Sequence, residues 1–422
     1  MTQLFSLDPA GFGWATGIEN TFVPHVRPGR RALDEYQLIQ HYQYWKQDLD
    51  LAADLGIQAL RWGIPWYKVQ PKANVWDWRW TDEVIDYLVN VKGIVPILDL
   101  IHYGTPLWLD NSFINSQYPY RVAEYAGAVA QRYGSLVRHY TPLNEPMINA
   151  DLCGRRGDWP PYLVGEDGFV KVALALAKGM VLTTQALKAE QPDAITVQVE
   201  ALWHIWSKVE ALAPLVEEAN ATQYLCFDLA TGRVDENYIL AAYLQAHGVT
   251  PRELDWFRAQ AVTFDFLGVN FYPWSYVEWA QRTNGLPRHI LRSTHGSKLG
   301  EVIERAYTRY QMPLIVTETS AKRDVAGRAR WMDQTLDSIR GLRAQGVPVV
   351  GYTWFPFLTM VDWTYRRGRK PLTSFLVHLG LYDGTFDAEG ILQRHKTPLV
   401  AHFQQQMTRP MPPVYRAENI TP

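Results

Sequence analysis

The chain has 422 residues, 47% hydrophobic and 20% charged, with a formal net charge of −2. That length can bury a large core, and so small a net charge makes neither nucleic acid nor an anionic membrane an expected partner. No uninterrupted apolar run approaches the ~18 residues of a transmembrane helix, the first residues lack a basic-then-apolar leader pattern, and Cys153 and Cys226 are too few for a disulfide framework. A cytoplasmic, reduced setting is the expectation. The sequons at Asn220-Ala221-Thr222 and Asn419-Ile420-Thr421 are then expected to stay unmodified.

Along the chain, short apolar runs alternate with segments of helical period. The strand-like runs are 12–19, 59–62, 95–100, 139–144, 196–200, 266–270, 314–318 and 349–354. Between them, segments 42–55, 81–91, 121–133, 168–190, 297–309 and 328–345 carry apolar residues at helical spacing. Gly56 and Gly346 stand where helix C-caps belong. No repeat or Gly/Ser linker divides the chain. Alternating βα units predict an α/β protein, a single (β/α)8 TIM barrel over 1–422. A typical barrel needs about 250 residues. The surplus is expected in long loops at the C-terminal face, at 20–41, 149–167, 272–296 and 362–393.

Polar residues gather at the ends of these strands: Glu19, Arg61, His102, Asn144, Glu145, Glu200, Asn270, Tyr272, Glu318 and Trp354. The C-terminal ends of barrel strands are where such folds hold their chemistry. Two runs end in a Glu. They are Thr141-Pro142-Leu143-Asn144-Glu145-Pro146 and Val316-Thr317-Glu318-Thr319-Ser320. A pair of carboxylates can cleave a glycosidic bond with retention, one attacking as a carboxylate and the other donating a proton. Arg61, Asn270 and Tyr272 are expected to keep Glu318 ionised by charge and hydrogen bonding. Glu145 is then the acid, raised toward about 6 by the neighbouring charge. Retention predicts carboxyls about 5–5.5 Å apart. The chain holds 17 Trp and 23 Tyr. Core packing explains most, but Trp62, Trp203, Trp274 and Trp354 lie near strand ends, where an indole can stack on a sugar. Glu200 and His204 are expected to be solvated loop polarity.

These segments resemble glycoside hydrolase family 1, the β-glucosidases and related β-glycosidases, over almost the whole chain. Thr141 to Pro146 is similar to the family's T-x-N-E-P acid/base motif with one extra residue, and Val316 to Ser320 to its I/V-T-E-N-G nucleophile motif. Arg61-Trp62-Gly63-Ile64-Pro65-Trp66, Leu100-Ile101-His102-Tyr103-Gly104-Thr105-Pro106, Phe266-Leu267-Gly268-Val269-Asn270-Phe271-Tyr272 and the stretch from Gly351 to Trp363 match four further motifs in order. The resemblance implies a (β/α)8 barrel and a retaining exo-β-glycosidase that uses Glu145 as acid/base and Glu318 as nucleophile. It implies that His102 and Asn144 contact sugar hydroxyls, that Tyr272 bonds the nucleophile, and that Trp354 lies under the sugar. Trp363 and Asp362 complete the sugar site. Besides Thr319-Ser320 in place of the usual Asn-Gly after the nucleophile, the chain departs from the family at two sugar-binding positions. Gly17-Ile18-Glu19-Asn20 replaces Q-I-E-G, so that Glu19 or Asn20 stands in for the sugar-binding Gln, and Asp362 replaces the usual Glu.

The expected substrate is a small soluble β-glucoside, with β-galactoside or β-fucoside as further glycones. No metal or cofactor is expected, since the chain has no H-E-x-x-H, phosphate-loop, C-x-x-C or dinucleotide motif. Three other readings use the same residues. One is a transglycosylase, one a 6-phospho-β-glycosidase using Arg366-Arg367-Gly368-Arg369-Lys370 as an anion clamp, and one a sugar-binding barrel without turnover. An endo-acting enzyme would need an open cleft instead of the pocket that long loops build.

Overall fold

The structure is a computed structural model that describes residues 11–24, 27–282, 285, 287–290 and 294–414. The sequon at 419–421 lies outside these residues. Eight strands close a barrel. They are β1 (Gly13–Gly17), β2 (Ala59–Gly63), β3 (Val95–Asp99), β4 (His139–Thr141), β5 (Ile195–Ala201), β6 (Phe266–Asn270), β7 (Leu314–Thr319) and β8 (Val349–Trp354). Each pairs in parallel with its sequence neighbours, and β8 closes on β1 through Gly13 opposite Gly351 and Thr16 opposite Trp354.

The cause is the composition of the runs. Each is covered on both faces, so nearly every residue is buried and the strands read as apolar stretches without alternation. Ala15, Ala59, Ile97, Val197, Val199, Phe266, Ile315 and Val350 pack inside the barrel. The helices Tyr118–Tyr133, Gly165–Glu190, Lys298–Tyr310 and Val325–Ala344 belong to the outer layer. Gly165–Glu190 is long and apolar enough to cross a membrane by those criteria alone. In this fold its apolar residues, among them Phe169, Leu176 and Leu187, are buried. Gly56 and Gly346 follow helices with φ of +82° and +88°, a left-handed cap that glycine adopts without strain.

All eight strands fall where the sequence puts them. The fourth is shorter than the 139–144 expected: it ends at Thr141, and Asn144 instead bridges Val199 of β5. The stretch between β5 and β6 holds four helices that the periodicity does not single out: Ala213–Thr222, Leu225–Ala230, Ala241–Ala246 and Pro251–Ala259. The expected long loops carry structure of their own. Phe22–Val23 pairs with Leu33–Asp34, and Met360–Val361 pairs with Leu376–Val377. His204–Ser207, Tyr276–Gln281 and Pro287–Ile290 form a side sheet above β5 and β6.

Gly268 on β6 has no room for a side chain: a Cβ there would lie 2.8 Å from Val199 Cγ2 and 2.9 Å from Thr317 Cγ2. Gly268→Val is expected to destabilise the barrel by about 1–3 kcal/mol through overpacking, seen as a lower thermal midpoint. An unchanged midpoint would contradict this packing.

Candidate active site

The carboxyl ends of the strands open into a cavity of about 950 Å³. Glu19, His102, Glu145, Asn270, Tyr272 and Glu318 line its floor, while Asp362 and Trp363 stand in its wall. The barrel brings Glu145 from the turn after β4 and Glu318 from β7 to one cavity, although 173 positions separate them.

Arg61, in the middle of β2, organises the floor. Its Nη1 donates to Glu318, and its Nη2 donates to Asp99 at 2.7 Å and to Asn144 Oδ1 at 2.7 Å. The guanidinium is 1% exposed, so these partners replace water around it. Tyr272 Oη donates to the other Glu318 oxygen at 2.7 Å. Glu318 therefore faces a cation on one oxygen and a phenol on the other.

Glu145 meets only neutral donors. Tyr103 Oη donates to Oε2, and Asn270 Nδ2 donates to Oε1 at 2.8 Å. Asn270 thus serves Glu145, not Glu318 as expected from the sequence. Its Oδ1 accepts from Thr317 at 2.7 Å, which fixes the amide so that its NH2 faces the carboxylate. Glu145 itself has φ of 45° and ψ of 61°, left-handed backbone that a non-glycine residue adopts at a cost of about 1–3 kcal/mol. Pro146 follows it and opens the helix Pro146–Ala150.

Burial raises both carboxyls above the ordinary 4.5. For Glu145, burial is the largest cause, and the Tyr103 and Asn270 donors oppose it. The neighbouring charge expected from the sequence is not the main source. Glu318 is pushed up to about 7 by burial, with Arg61 pulling it down and the Glu145 charge pushing it further up. Arg61 acts in the expected direction, but burial outweighs it. The two titrate as a pair whose values belong to both groups. Within the pair, negative charge is favoured where the guanidinium touches, on Glu318.

His102 spans the floor. Its Nδ1 lies 2.8 Å from Asp99, and its Nε2 lies 3.2 Å from Asn144 Nδ2 and 3.5 Å from Glu19. Burial alone would lower it, but the Glu19 and Asp99 carboxylates outweigh burial and hold it above its ordinary value. Glu19 is fixed by Thr21, whose backbone N–H donates to it at 2.9 Å.

Of three further expected sugar contacts, one lies outside the cavity and another is bonded within the protein. Trp354 is 0% exposed, does not line the cavity, and donates through Nε1 to Leu379 O at 3.1 Å. It is a packed core residue in this structure, not an open platform. Trp363 does line the cavity, edge-on to Tyr103 and Trp159. Asp362 reaches the wall, but Oδ1 caps Thr364 N at 2.9 Å and Oδ2 accepts from Lys322 at 3.3 Å. Burial would raise Asp362, yet the Thr364 bonds and Lys322 hold it below its usual value. The basic run is split. Arg366 is buried on the carbonyls of Val23, Pro24 and Arg31, whereas Arg367, Arg369 and Lys370 line a neighbouring cavity of about 590 Å³ with Lys322 and Asp362.

Glu200 is not the solvated group expected: it is 1% exposed. His204 pairs in the side sheet, beside Arg305 and Tyr276. Of the tryptophans near strand ends, Trp62 is buried against His41, while Trp203 and Trp274 line the cavity. Asn220 is buried and bonded to Ile205, so its sequon is not a surface acceptor. Sequence reasoning misses Tyr103, Asp99 and Thr317 as residues that shape the site. Asp99 leaves a signal, as the one acid in the apolar run 95–100.

The raised pair links to stability with a definite sign. The folded chain keeps protons that the unfolded chain releases above the ordinary 4.5. This contribution is full below that value and is lost as pH rises through the raised ones. Glu318→Gln should therefore gain thermal stability over the unsubstituted chain as pH climbs from about 5 to about 8. A constant difference across that range would contradict the raised values.

Comparison with known proteins agrees with this architecture. Glycosyl hydrolase family 1 matches residues 32–326. β-Glucosidase 13 of Arabidopsis thaliana is 24% identical over 56% of this chain and 52% of its own, so the match spans about half of that relative's length. The aryl-phospho-β-D-glucosidase BglA of Bacillus subtilis is 23% identical over 90% of this chain and 85% of its own. A β-glucosidase from Thermotoga maritima, solved in complex with glucoimidazole, superposes with a TM-score of 0.82 at 18% identity, covering 95% of this chain and 98% of that one. The barrel, the ordered motifs and the family match over 32–326 lead to one assignment: this chain belongs to glycosyl hydrolase family 1.

Proposed function

We propose that the protein is a retaining exo-β-glycosidase, acting on small soluble β-glucosides and related β-glycosides by double displacement. The observation that carries this reading is the unequal surroundings of the two carboxyls: a guanidinium and a phenol on Glu318, neutral donors alone on Glu145. The shared proton then rests on Glu145 and the charge on Glu318.

With a β-glycoside bound, a Glu318 oxygen attacks the anomeric carbon. The bond to the leaving oxygen breaks as Glu145 transfers its proton to that oxygen. The product is an α-linked glycosyl ester on Glu318, and the aglycone leaves as an alcohol or phenol. Esterification removes the Glu318 charge. Glu145, now a carboxylate, takes a proton from water, whose oxygen attacks the anomeric carbon as the ester bond to Glu318 breaks; Glu318 leaves as a carboxylate and the sugar is released in its original configuration. A sugar hydroxyl in place of that water would make the same intermediate a transglycosylation donor. Glu19 and His102, the latter beside Asn144, lie on the cavity floor, and Trp363 stands in its wall, in place to hold the sugar.

A second reading has one favourable observation. The neighbouring cavity lined by Lys322, Arg367, Arg369 and Lys370 could take a 6-phosphate on the sugar. Asp362 in the same wall opposes it.

A panel of nitrophenyl glycosides with and without the phosphate separates the two: hydrolysis of the neutral glucoside supports the main reading, and turnover of the phosphorylated one alone overturns it. Glu318→Gly is expected to lose at least about 10³-fold in kcat on an aryl β-glucoside. Azide should then give an α-glycosyl azide, and a β product would reverse the nucleophile assignment. Glu145→Ala should spare glycosyl-enzyme formation from dinitrophenyl glycosides and slow it by about 10²–10⁴-fold for alkyl ones. Equal losses on both would contradict the acid role.

A further inference from the structure

Gln198 and Glu200 lie on one face of β5, alternating with Val197 and Val199, which point into the barrel. Both are buried, at 0% and 1% exposure, and neither lines the cavity. A polar pair behind a barrel strand is costly unless its bonds serve something. The Gln198 side-chain Nε2 donates to Leu143 O at 3.0 Å, to Glu200 Oε1 at 3.1 Å and to Val199 O at 3.2 Å.

Leu143 stands two positions before Glu145 on the turn that leaves β4. The same Val199 carbonyl accepts from Glu145 N at 3.0 Å, and Asn144 N donates to Ile101 O at 2.9 Å. The left-handed backbone at Glu145 is thus tied to β5 directly and, through Asn144, to the segment that follows β3. Gln198 supplies the side-chain tie. Strained backbone of this kind persists only where its surroundings over-determine it.

Glu200 Oε2 and Gln198 Oε1 have no hydrogen-bond partner among the described residues. Burial pushes Glu200 well above the usual carboxylate range, and the charges of Glu145 and Asp228 push it the same way. A neutral carboxyl at this position supplies an acceptor to Gln198 without placing a second negative charge behind Glu145.

We infer that Gln198, braced by Glu200, is a positioning residue that holds the Leu143 carbonyl and so aims the Glu145 carboxyl at the leaving-group oxygen. This rests on the acid role proposed above. Loss of the brace should impair proton donation more than nucleophilic attack, because Glu318 is held separately by Arg61 and Tyr272.

The test compares the full-length chain with its Gln198→Leu, Glu200→Gln and Glu200→Leu variants on β-glucosides of graded leaving groups. Gln198→Leu should lower kcat/KM by ~10-fold or more on an alkyl glucoside and by less than ~2-fold on the dinitrophenyl one. Glu200→Gln, which keeps an acceptor oxygen, should match the unsubstituted chain, and Glu200→Leu should shift the same ratio in the same direction. Parallel losses on both substrates, or an unchanged ratio, would overturn the inference. If Gln198→Leu does not fold, the ratio in Glu200→Leu decides. Glu145→Ala run beside them separates the two levels. If it shows no leaving-group dependence, the acid assignment itself has failed. If it does and the β5 variants do not, only the positioning role has.

Discussion

A buried guanidinium must find acceptors for its charge, and in this barrel that requirement assembles the site. Arg61 leaves β2 with almost no contact with water and meets Glu318 from β7, Asp99 from β3 and Asn144 from the turn after β4. Four separate parts of the chain are thereby held in one geometry. Removing one partner of a buried pair costs about 3–5 kcal/mol, because the other charge is left uncompensated. Arg61 has two carboxylate partners, so its loss would expose both at once. The same guanidinium distinguishes two chemically identical carboxyls by standing next to only one of them.

Glu145 is held by a different device. Its backbone is left-handed, and its carboxyl receives two neutral donors, Tyr103 and Asn270. Neutral donors orient a carboxyl without a counter-charge to hold it ionised, which supports the proposed acid/base role. The fold bears the strain at Glu145 and the burial of both acids as a cost in stability, offset by a core that runs through the barrel and the helix layer. Such an arrangement makes sense at a site that acts on a bond and is hard to explain as simple packing.

The fold is legible in the sequence because a parallel barrel buries both faces of every strand, so each strand appears as an apolar run with a polar end. The β5 to β6 connection is not, since its short helices, such as Leu225–Ala230 and Ala241–Ala246, offer too few turns to show a period. Among site residues, those inside or just past the apolar runs are readable by position, as with Arg61, Glu145 and Glu318. What a side chain bonds is less readable. Asn270 stands one position past Val269 on β6 and could serve either acid from its place in the chain. Thr317 on the neighbouring strand orients it, a contact between strands that no local pattern records. Trp354 illustrates the opposite case: a strand-end indole that looks available for stacking is fully buried, with its Nε1 bonded to the Leu379 carbonyl from the final loop. Glu200 looks like loop polarity because it ends its run, whereas β5 continues to Ala201 and carries it behind the barrel wall.

The central claim is that Glu318 becomes covalently bound to the sugar. A fluorinated β-glucoside that forms the glycosyl-enzyme rapidly and releases it slowly, followed by proteolysis and peptide mass spectrometry, tests this directly. The account predicts one glycosyl unit on the peptide bearing Glu318, formed at the rate at which activity is lost. A label on any other side chain, or inactivation with no covalent adduct, would contradict it.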